Sequence, residues 1–278
     1  MADVYADHPF PLTASPAYEG KKLSKAFEPD MFERVAGEMA CVHNMIVRGL
    51  NSIYLQAPHI PLPEVPAFIQ YSLIWYKLVH LHHSCEESDF FQTISGETGI
   101  MSGNVEQHHA FQEELVTFYL YLKECANDPT QFSGNRILSS IDSFGRVWCN
   151  TLPRRFQRSL VYKGLASRRW GNWRPDFLKT ARRTWFVCLL RYCRHPRLKC
   201  LKQEEMGLVA GLPWCFSNHD IAFEEGNWSK WPPAPGVVKF ICRSVDFWLH
   251  RDWWKFAACD RHGRQRPLRF VPRPKPAG

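Results

Sequence analysis

The sequence predicts an all-α fold, and three observations support this prediction. Apolar residues recur every three or four positions through several long segments, which is the spacing of one face of an α-helix. Clusters of proline, glycine, asparagine and serine separate these segments, as helix-ending signals do. Each of the first three segments also carries a histidine within its apolar stripe, at positions 43, 82 and 108.

The first predicted helix begins near Pro29 and Asp30, with Asp30 as its N-cap, and ends before the proline-rich turn at residues 57–63. Its apolar stripe contains Phe32, Val35, Met39, His43, Ile46, Leu50 and Ile53. We therefore expect His43 to lie on the face that packs into the core.

The second predicted helix runs from about residue 64 to residue 93 and places two candidate metal ligands on its buried face. Its stripe contains Phe68, Tyr71, Trp75, Leu78, His82 and Glu86. Because His82 and Glu86 are four residues apart, they lie on the same face of a helix, about one turn from each other. His83 and Glu87 are expected on a more polar flank.

The third predicted helix covers residues 103–126, and the fourth begins near Asn135. The third ends at Asn127-Asp128-Pro129, and its stripe contains His108, Phe111, Leu115, Phe118 and Leu122. The fourth presents Ile137, Leu138, Ile141 and Phe144 to the core.

A single histidine on an apolar helix face is more often a core residue than a metal ligand. Three inward histidines and a carboxylate on three helices change this balance, because burying such groups without a shared partner is costly. A metal ion held by His43, His82, Glu86 and His108 would satisfy all four. Imidazole and carboxylate ligands suit a first-row metal such as non-haem iron.

The order of these residues resembles the hemerythrin-like, HHE cation-binding domains, most closely their fungal members. The resemblance rests on His43-Asn44, on His82-His83 with Glu86-Glu87, and on residues 104–111, and it extends to residues 48–54, 220–233 and 253–260. It implies an up-down four-helix bundle whose core holds two carboxylate-bridged iron ions. It also implies that His43, His82 and the bridging Glu86 serve one iron, and that His108 serves the other.

The fourth helix departs from the family pattern, which requires a second His-x-x-x-Glu there. Residues 146–203 instead form an anomalous basic block with 12 Arg and 4 Lys against the single acid Asp176. One interpretation is a basic, aromatic-rich surface for nucleic acid or an acidic partner. The other, which we favour, is translation in a shifted reading frame, because the codons from Trp148 to Leu160 permit a family-like His-Leu-x-x-Glu-Ile in another frame.

As printed, Thr151 and Arg155 occupy the places of the expected ligand pair, with the helix-breaking Pro153 between them. We therefore predict a damaged fourth helix and at most one metal with a nearly complete ligand set. That set is His43, His82 and Glu86, which is the two-histidine, one-carboxylate composition that suits mononuclear Fe(II).

Three parts of the chain are predicted: a flexible N-terminal arm at 1–29, a hemerythrin-like helical bundle at 30–205, and a Trp- and Pro-rich extension at 206–278. The first 29 residues lack the apolar region of a signal peptide, and no run of 18 uncharged apolar residues occurs. We expect a cytoplasmic protein with reduced cysteines and no membrane partner. Within the extension we expect a helix at about 237–256 and a solvated, disordered end at 261–275.

Three functions are consistent with the sequence. The first is a non-haem iron-binding module, not an enzyme, that binds O2 or NO, or stores or senses iron. The second is a mononuclear non-haem iron oxidase or oxygenase. The third is a metal-free interaction protein whose basic block binds nucleic acid, which we consider the least favoured.

Overall fold

The computed structural model describes residues 3–15, 31–85, 111–149, 208–232 and 234–272. Within these ranges the chain is mostly helical, and no residue belongs to a β-strand; a single isolated bridge joins Cys259 and Gln265. The predicted all-α class is therefore confirmed for the part of the chain that the structure describes. No helix in that part is long and apolar enough to cross a membrane.

The first helices agree closely with the sequence. Helix α1 spans Met31–Gln56, and α2 spans Val65–Cys85. Two short 3-10 turns, Ala57–His59 and Leu62–Glu64, join them through the proline-rich segment. The continuation of the second predicted helix to residue 93 lies outside the described residues.

Two more helices pack beside this pair. Helix α3 spans Gln112–Asn127 and is followed by a 3-10 turn at Pro129–Gln131, where the carboxylate of Asp128 accepts a hydrogen bond from the backbone N–H of Thr130. Residues 134–149, here called α4, are helical up to the end of that described range. The positions of the predicted damage, Thr151, Pro153 and Arg155, lie outside the described residues.

The core is centred on α2, which is buried on almost every side. Trp75 is fully buried; its indole N–H donates a hydrogen bond of 3.0 Å to the carbonyl of Ile46 on α1. Its ring packs at 5.9 Å from that of Phe118 on α3, and at 6.2 Å from that of Phe144 on α4. One side chain thus contacts the other three helices, so that α1 to α4 share a single core.

The first part of the segment expected as a flexible arm lies against α1. The carboxamide of Asn51 accepts a hydrogen bond from the N–H of Phe10 at 2.9 Å and donates to the carbonyls of Ala6 and Phe10 at 2.8 and 2.9 Å. Asn44 pairs in the same way with both backbone groups of Thr13, at 2.7 and 2.8 Å. Residues 3–15 are therefore tied to the helix by its own side chains.

The C-terminal part contributes to the same core. Helix α5, Leu208–Phe216, packs against α2, and its Trp214 is fully buried. Helix α6, Gly236–Ile241, continues through a π-helical turn at Cys242–Asp246 into the short helical pieces α7, Phe247–Leu249, and α8, Arg251–Trp254. The predicted single helix at about 237–256 is thus interrupted.

The expectation of a disordered end at residues 261–275 is wrong for residues 261–272. Leu268 is buried, and its N–H donates to the carbonyl of Val4 at 2.8 Å. The guanidinium of Arg266 donates to the carbonyl of Ala257 at 3.0 Å and to that of Trp254. Backbone and guanidinium hydrogen bonds hold this segment, which composition alone does not reveal.

Candidate functional site

His43 on α1 and His82 on α2 meet inside the core. Their side chains are 0% and 3% exposed, and their Nε2 atoms lie 2.8 Å apart. The two rings are 4.8 Å apart between centroids and inclined by 73°. The sequence predicted this meeting, because each histidine continues the apolar stripe of its helix.

This geometry permits two chemical states. In the first, one Nε2 carries a proton and donates it to the other, so that the two neutral rings share one hydrogen bond. In the second, both lone pairs point at one cation. Two imidazole nitrogens, each about 2.1 Å from a metal and at right angles to each other, are separated by about 3.0 Å. The observed separation lies close to that value, so the pair suits a metal with little movement of either helix.

A third imidazole lies beside the pair. His83 is 8% exposed, and its ring centroid lies 5.8 Å from that of His82. The indole N–H of Trp148 on α4 donates to its Nε2 at 3.3 Å, and the ring of Phe111 lies at 5.5 Å. In this hydrogen bond Nε2 is the acceptor, so the proton of a neutral His83 is on Nδ1.

The expectation that His83 faces a polar flank is therefore wrong. Helical periodicity places it one position away from the stripe, but Phe111 and Trp148 cover that flank as well. Trp148, the third residue of the anomalous basic block, also packs at 6.1 Å from Trp75. It therefore joins the histidine cluster to the aromatic core.

Two of the four predicted ligands, Glu86 and His108, lie outside the described residues. Among the residues that the structure does describe, no group of three or more His, Cys, Asp or Glu side chains is arranged to hold a metal ion. A metal site that included His43 and His82 would therefore need further donors from outside the described ranges.

A second buried polar cluster surrounds Arg48 on α1, which the sequence analysis assigned no function. Its guanidinium is 1% exposed and forms ion pairs with Asp7 at 2.7 Å and with Asp220 at 3.5 Å. It also lies 5.3 Å from the ring centroid of Phe223. Burial raises the pKa of Asp220, whereas the positive charge of the nearby Arg48 lowers it. The arrangement joins the arm, α1 and residues 220–226.

The loop after Asp220 is fixed by Glu224, whose backbone has a positive φ of 50°. Its carboxylate accepts hydrogen bonds from the N–H and hydroxyl of Ser15, both at 2.6 Å, and from the indole N–H of Trp228 at 2.7 Å. These three hydrogen bonds hold the Glu224 side chain in place. They compensate for the unfavourable left-handed backbone at a residue other than glycine.

His219 and the buried cysteines have no features of catalytic groups. Burial lowers the pKa of His219 to about 4, and its Nε2 lies 3.0 Å from the carbonyl of Trp228. Burial raises the pKa of the Cys41 thiol and, to about 12, that of the Cys149 thiol. Near neutral pH these thiols are protonated and weak nucleophiles. Among the residues that the structure describes, the buried cysteines outside disulfides are Cys41, Cys125, Cys149, Cys215, Cys242 and Cys259.

Comparison with known proteins gives one informative relative. The chain is 25% identical, over 272 residues, to the dimeric xanthone biosynthesis cluster protein R11 of Cryptosporiopsis sp. (strain 8999). The alignment covers 95% of this chain and 92% of that protein. No family model matches the sequence. No solved structure matches it either.

Proposed function

We propose that this protein is a non-haem iron-binding module built on an up-down four-helix bundle of the hemerythrin-like type. The observation that carries the proposal is the 2.8 Å approach of the Nε2 atoms of His43 and His82, both buried and on different helices. The order of the histidines and acids along the chain, described above, supports the assignment to this type.

The proposed donor set is one that suits iron. His43, His82 and Glu86 would hold one iron ion, with His108 as a further ligand. Neutral imidazoles and a carboxylate suit Fe(II) and leave coordination positions for a small ligand such as O2 or NO. Bound iron would supply reversible ligand binding or redox chemistry at this position.

The protein's own residues have three roles in this proposal. With a metal bound, His43 and His82 would each present an unprotonated Nε2 atom to it. Without metal, one Nε2 would donate a proton to the other, and since both helices are held by the Trp75 core, the separation of the two atoms would change little. The aromatic side chains of Phe111 and Trp148 exclude water from the His83 side of the cluster. Helix α2 also supplies His83, whose ring centroid lies 5.8 Å from that of His82 and which would help to hold that ring in place.

A second candidate function is a mononuclear iron oxidase or oxygenase that acts in the biosynthesis of a secondary metabolite. The observation that favours it is the name of the relative, which places that protein in a xanthone biosynthesis cluster. Consumption of O2 in the presence of a xanthone, at a rate that depends on iron, would distinguish this function from simple binding. Iron binding without any substrate-dependent O2 consumption would favour the first proposal.

Iron content and absorption of the purified protein test the proposal. Protein produced in iron-supplemented medium is expected to carry iron and to show a ligand-to-metal charge-transfer band. His82→Ala should lose both, while far-UV circular dichroism stays the same. His250→Ala is the matched control, because the His250 ring stacks on that of Trp253 at 3.9 Å and is not one of the proposed ligands. A colourless protein without iron, or equal iron in the two variants, would contradict the proposal.

A further inference from the structure

The arm is fastened to the loop after Asp220 through Ser15, which is 1% exposed. The N–H and the hydroxyl of Ser15 each donate a hydrogen bond of 2.6 Å to the carboxylate of Glu224. The same carboxylate accepts the indole N–H of Trp228 at 2.7 Å, and the Trp228 ring lies against Gly37 on α1, where a Cβ would collide with it. Ser15, Glu224 and Trp228 are here called the clasp. It joins the arm to α1 through a single carboxylate.

The clasp holds an unfavourable backbone in place. Glu224, Glu225 and Gly226 follow one another with φ angles of 50°, 57° and 80°. A left-handed conformation at two consecutive residues other than glycine costs free energy, so it persists only where surrounding contacts compensate for it. Two of the three hydrogen bonds that fix the Glu224 side chain come from Ser15. The loop is therefore sensitive to any change at the Ser15 hydroxyl.

The sequence singles out the same hydroxyl. Pro16 follows Ser15, and no other serine or threonine of the chain stands directly before a proline. A serine followed by proline is the minimal acceptor sequence of the proline-directed protein kinases. The chain thus places its single acceptor of this kind at the residue that closes the clasp.

A phosphate on Ser15 is incompatible with the clasp. It carries a charge of about −2 near neutral pH and presents acceptor oxygens in place of the donated proton. It would therefore repel the Glu224 carboxylate and offer it no hydrogen bond. Arg48, the cation of this region, already pairs with Asp7 and Asp220 and is buried. Separation of Ser15 from Glu224 relieves the repulsion.

We propose that Ser15 is a phosphorylation site for a proline-directed serine/threonine protein kinase, and that its phosphorylation releases residues 11–15 from the clasp. The kinase transfers the γ-phosphoryl group of ATP to the Ser15 oxygen. A bond forms between that oxygen and the γ-phosphorus, the bond from the γ-phosphorus to the oxygen that ADP retains breaks, and the hydroxyl proton passes to a base of the kinase. The proposal is independent of iron binding.

Local opening of the arm gives the kinase access to the buried hydroxyl. Residues 11–15 are held to α1 by Asn44, which pairs with both backbone groups of Thr13, and to the loop by the clasp. Pro11 and Ala14 in this stretch are exposed. A segment held by a few hydrogen bonds opens at a lower free energy than the whole protein unfolds. Phosphorylation of the open arm then prevents the clasp from closing again.

A kinase assay on the folded, full-length protein tests the acceptor. The protein is incubated with Mg-ATP and an active mitogen-activated protein kinase, and intact-mass and peptide mass spectrometry locate the product. A single phosphate on Ser15 is expected, which Ser15→Ala abolishes and Pro16→Ala greatly reduces. Asn44→Ala should accelerate incorporation about tenfold, because loss of the hydrogen bonds to Thr13 eases opening. Ser139→Ala, at an exposed serine that precedes another serine, is the matched control and should change nothing.

Hydrogen exchange of the phosphorylated protein tests the release. Protection of the Thr13 and Ser15 amides, which donate to Asn44 and Glu224, should fall by about tenfold or more. Ser15→Asp should reproduce this loss, whereas Ser15→Asn, of similar size but uncharged, should lower protection less. Glu224→Gln should restore protection to Ser15→Asp, because its amide can donate to the new carboxylate.

Four results would overturn the proposal. The first is no phosphate on Ser15 in either the wild type or Asn44→Ala, and the second is incorporation only after heat denaturation. The third is a phosphorylated protein whose Thr13 amide stays as protected as in the unmodified one. The fourth is an equal loss of protection in Ser15→Asp and Ser15→Asn, which would show that side-chain size, and not charge, opens the clasp.

Discussion

The guanidinium of Arg48 lies 3.5 Å from the carboxylate of Asp220, and both groups are buried. Arg48→Met should lower the free energy of unfolding by about 3–5 kcal/mol, because it leaves the Asp220 carboxylate buried without its cation. Asp7→Asn should cost less than about 1 kcal/mol, since the Asp7 side chain is 40% exposed. Urea unfolding followed by tryptophan fluorescence measures both. Equal losses in the two variants would contradict this assignment of the buried pair.

The arm depends on Asn51. Asn51→Ala removes three hydrogen bonds and leaves the backbone groups of Phe10 and Ala6 without their partner, at an expected cost of about 2–4 kcal/mol. Asn51→Asp keeps the acceptor but turns a charge toward two carbonyls, so it should be at least as destabilising. Hydrogen exchange at the Phe10 amide reports the arm directly. Unchanged protection in Asn51→Ala would mean that the arm is held in another way.

Gly49 permits α1 to approach two tryptophans. A Cβ at this position would collide with the ring of Trp214 and lie 3.0 Å from that of Trp75, both of which are fully buried. Gly49→Ala should therefore lower stability by about 1–3 kcal/mol. Gly236→Ala is its control, because nothing lies within 4 Å of the added methyl group. Thermal unfolding should separate the two, and a neutral Gly49→Ala would contradict this packing.

His219 makes stability depend on pH. Its pKa in the folded protein is about 4 against 6.5 for the free group, so the unfolded chain takes up a proton first as the pH falls. The stabilising contribution is complete above pH 6.5 and declines toward pH 4, by about 3 kcal/mol in total. His219→Gln keeps a donor for the carbonyl of Trp228 and removes this dependence. The measurement is the wild-type-minus-variant difference in unfolding free energy at pH 7, 5.5 and 4, which should shrink or reverse as the pH falls. A constant difference would count against a buried neutral His219.

Local periodicity was sufficient for α1 and α2, because both are long, are bounded by a proline-rich turn and carry a regular apolar stripe. It also placed His43 and His82 on facing surfaces. It failed for His83, since the cover on that flank comes from Phe111 and Trp148, which are distant in sequence. It failed for the arm as well, although the polar residues Asn44, Arg48 and Asn51 form a row at helical spacing on α1 that could have indicated a docked segment.

The C-terminal part was harder to predict for a different reason. Residues 237–256 have the composition of one helix, but a π-helical turn and the non-helical backbone of His250, with φ −126° and ψ 33°, interrupt it. Both features depend on what the segment packs against. The same holds for residues 261–272, whose order comes from buried contacts of Arg266 and Leu268 that no local pattern encodes. The ligand positions Glu86 and His108 stay predictions.

X-ray absorption fine structure at the iron edge tests the central claim most directly, because it counts the imidazoles bound to the metal. For the iron-loaded wild-type protein we expect the outer-shell scattering of at least two imidazole rings, with nitrogen neighbours at about 2.1 Å. His82→Ala should lose one ring from this signal or lose the iron altogether, while His250→Ala leaves the spectrum unchanged. Iron surrounded only by oxygen neighbours, or a spectrum that does not change in His82→Ala, would contradict the account.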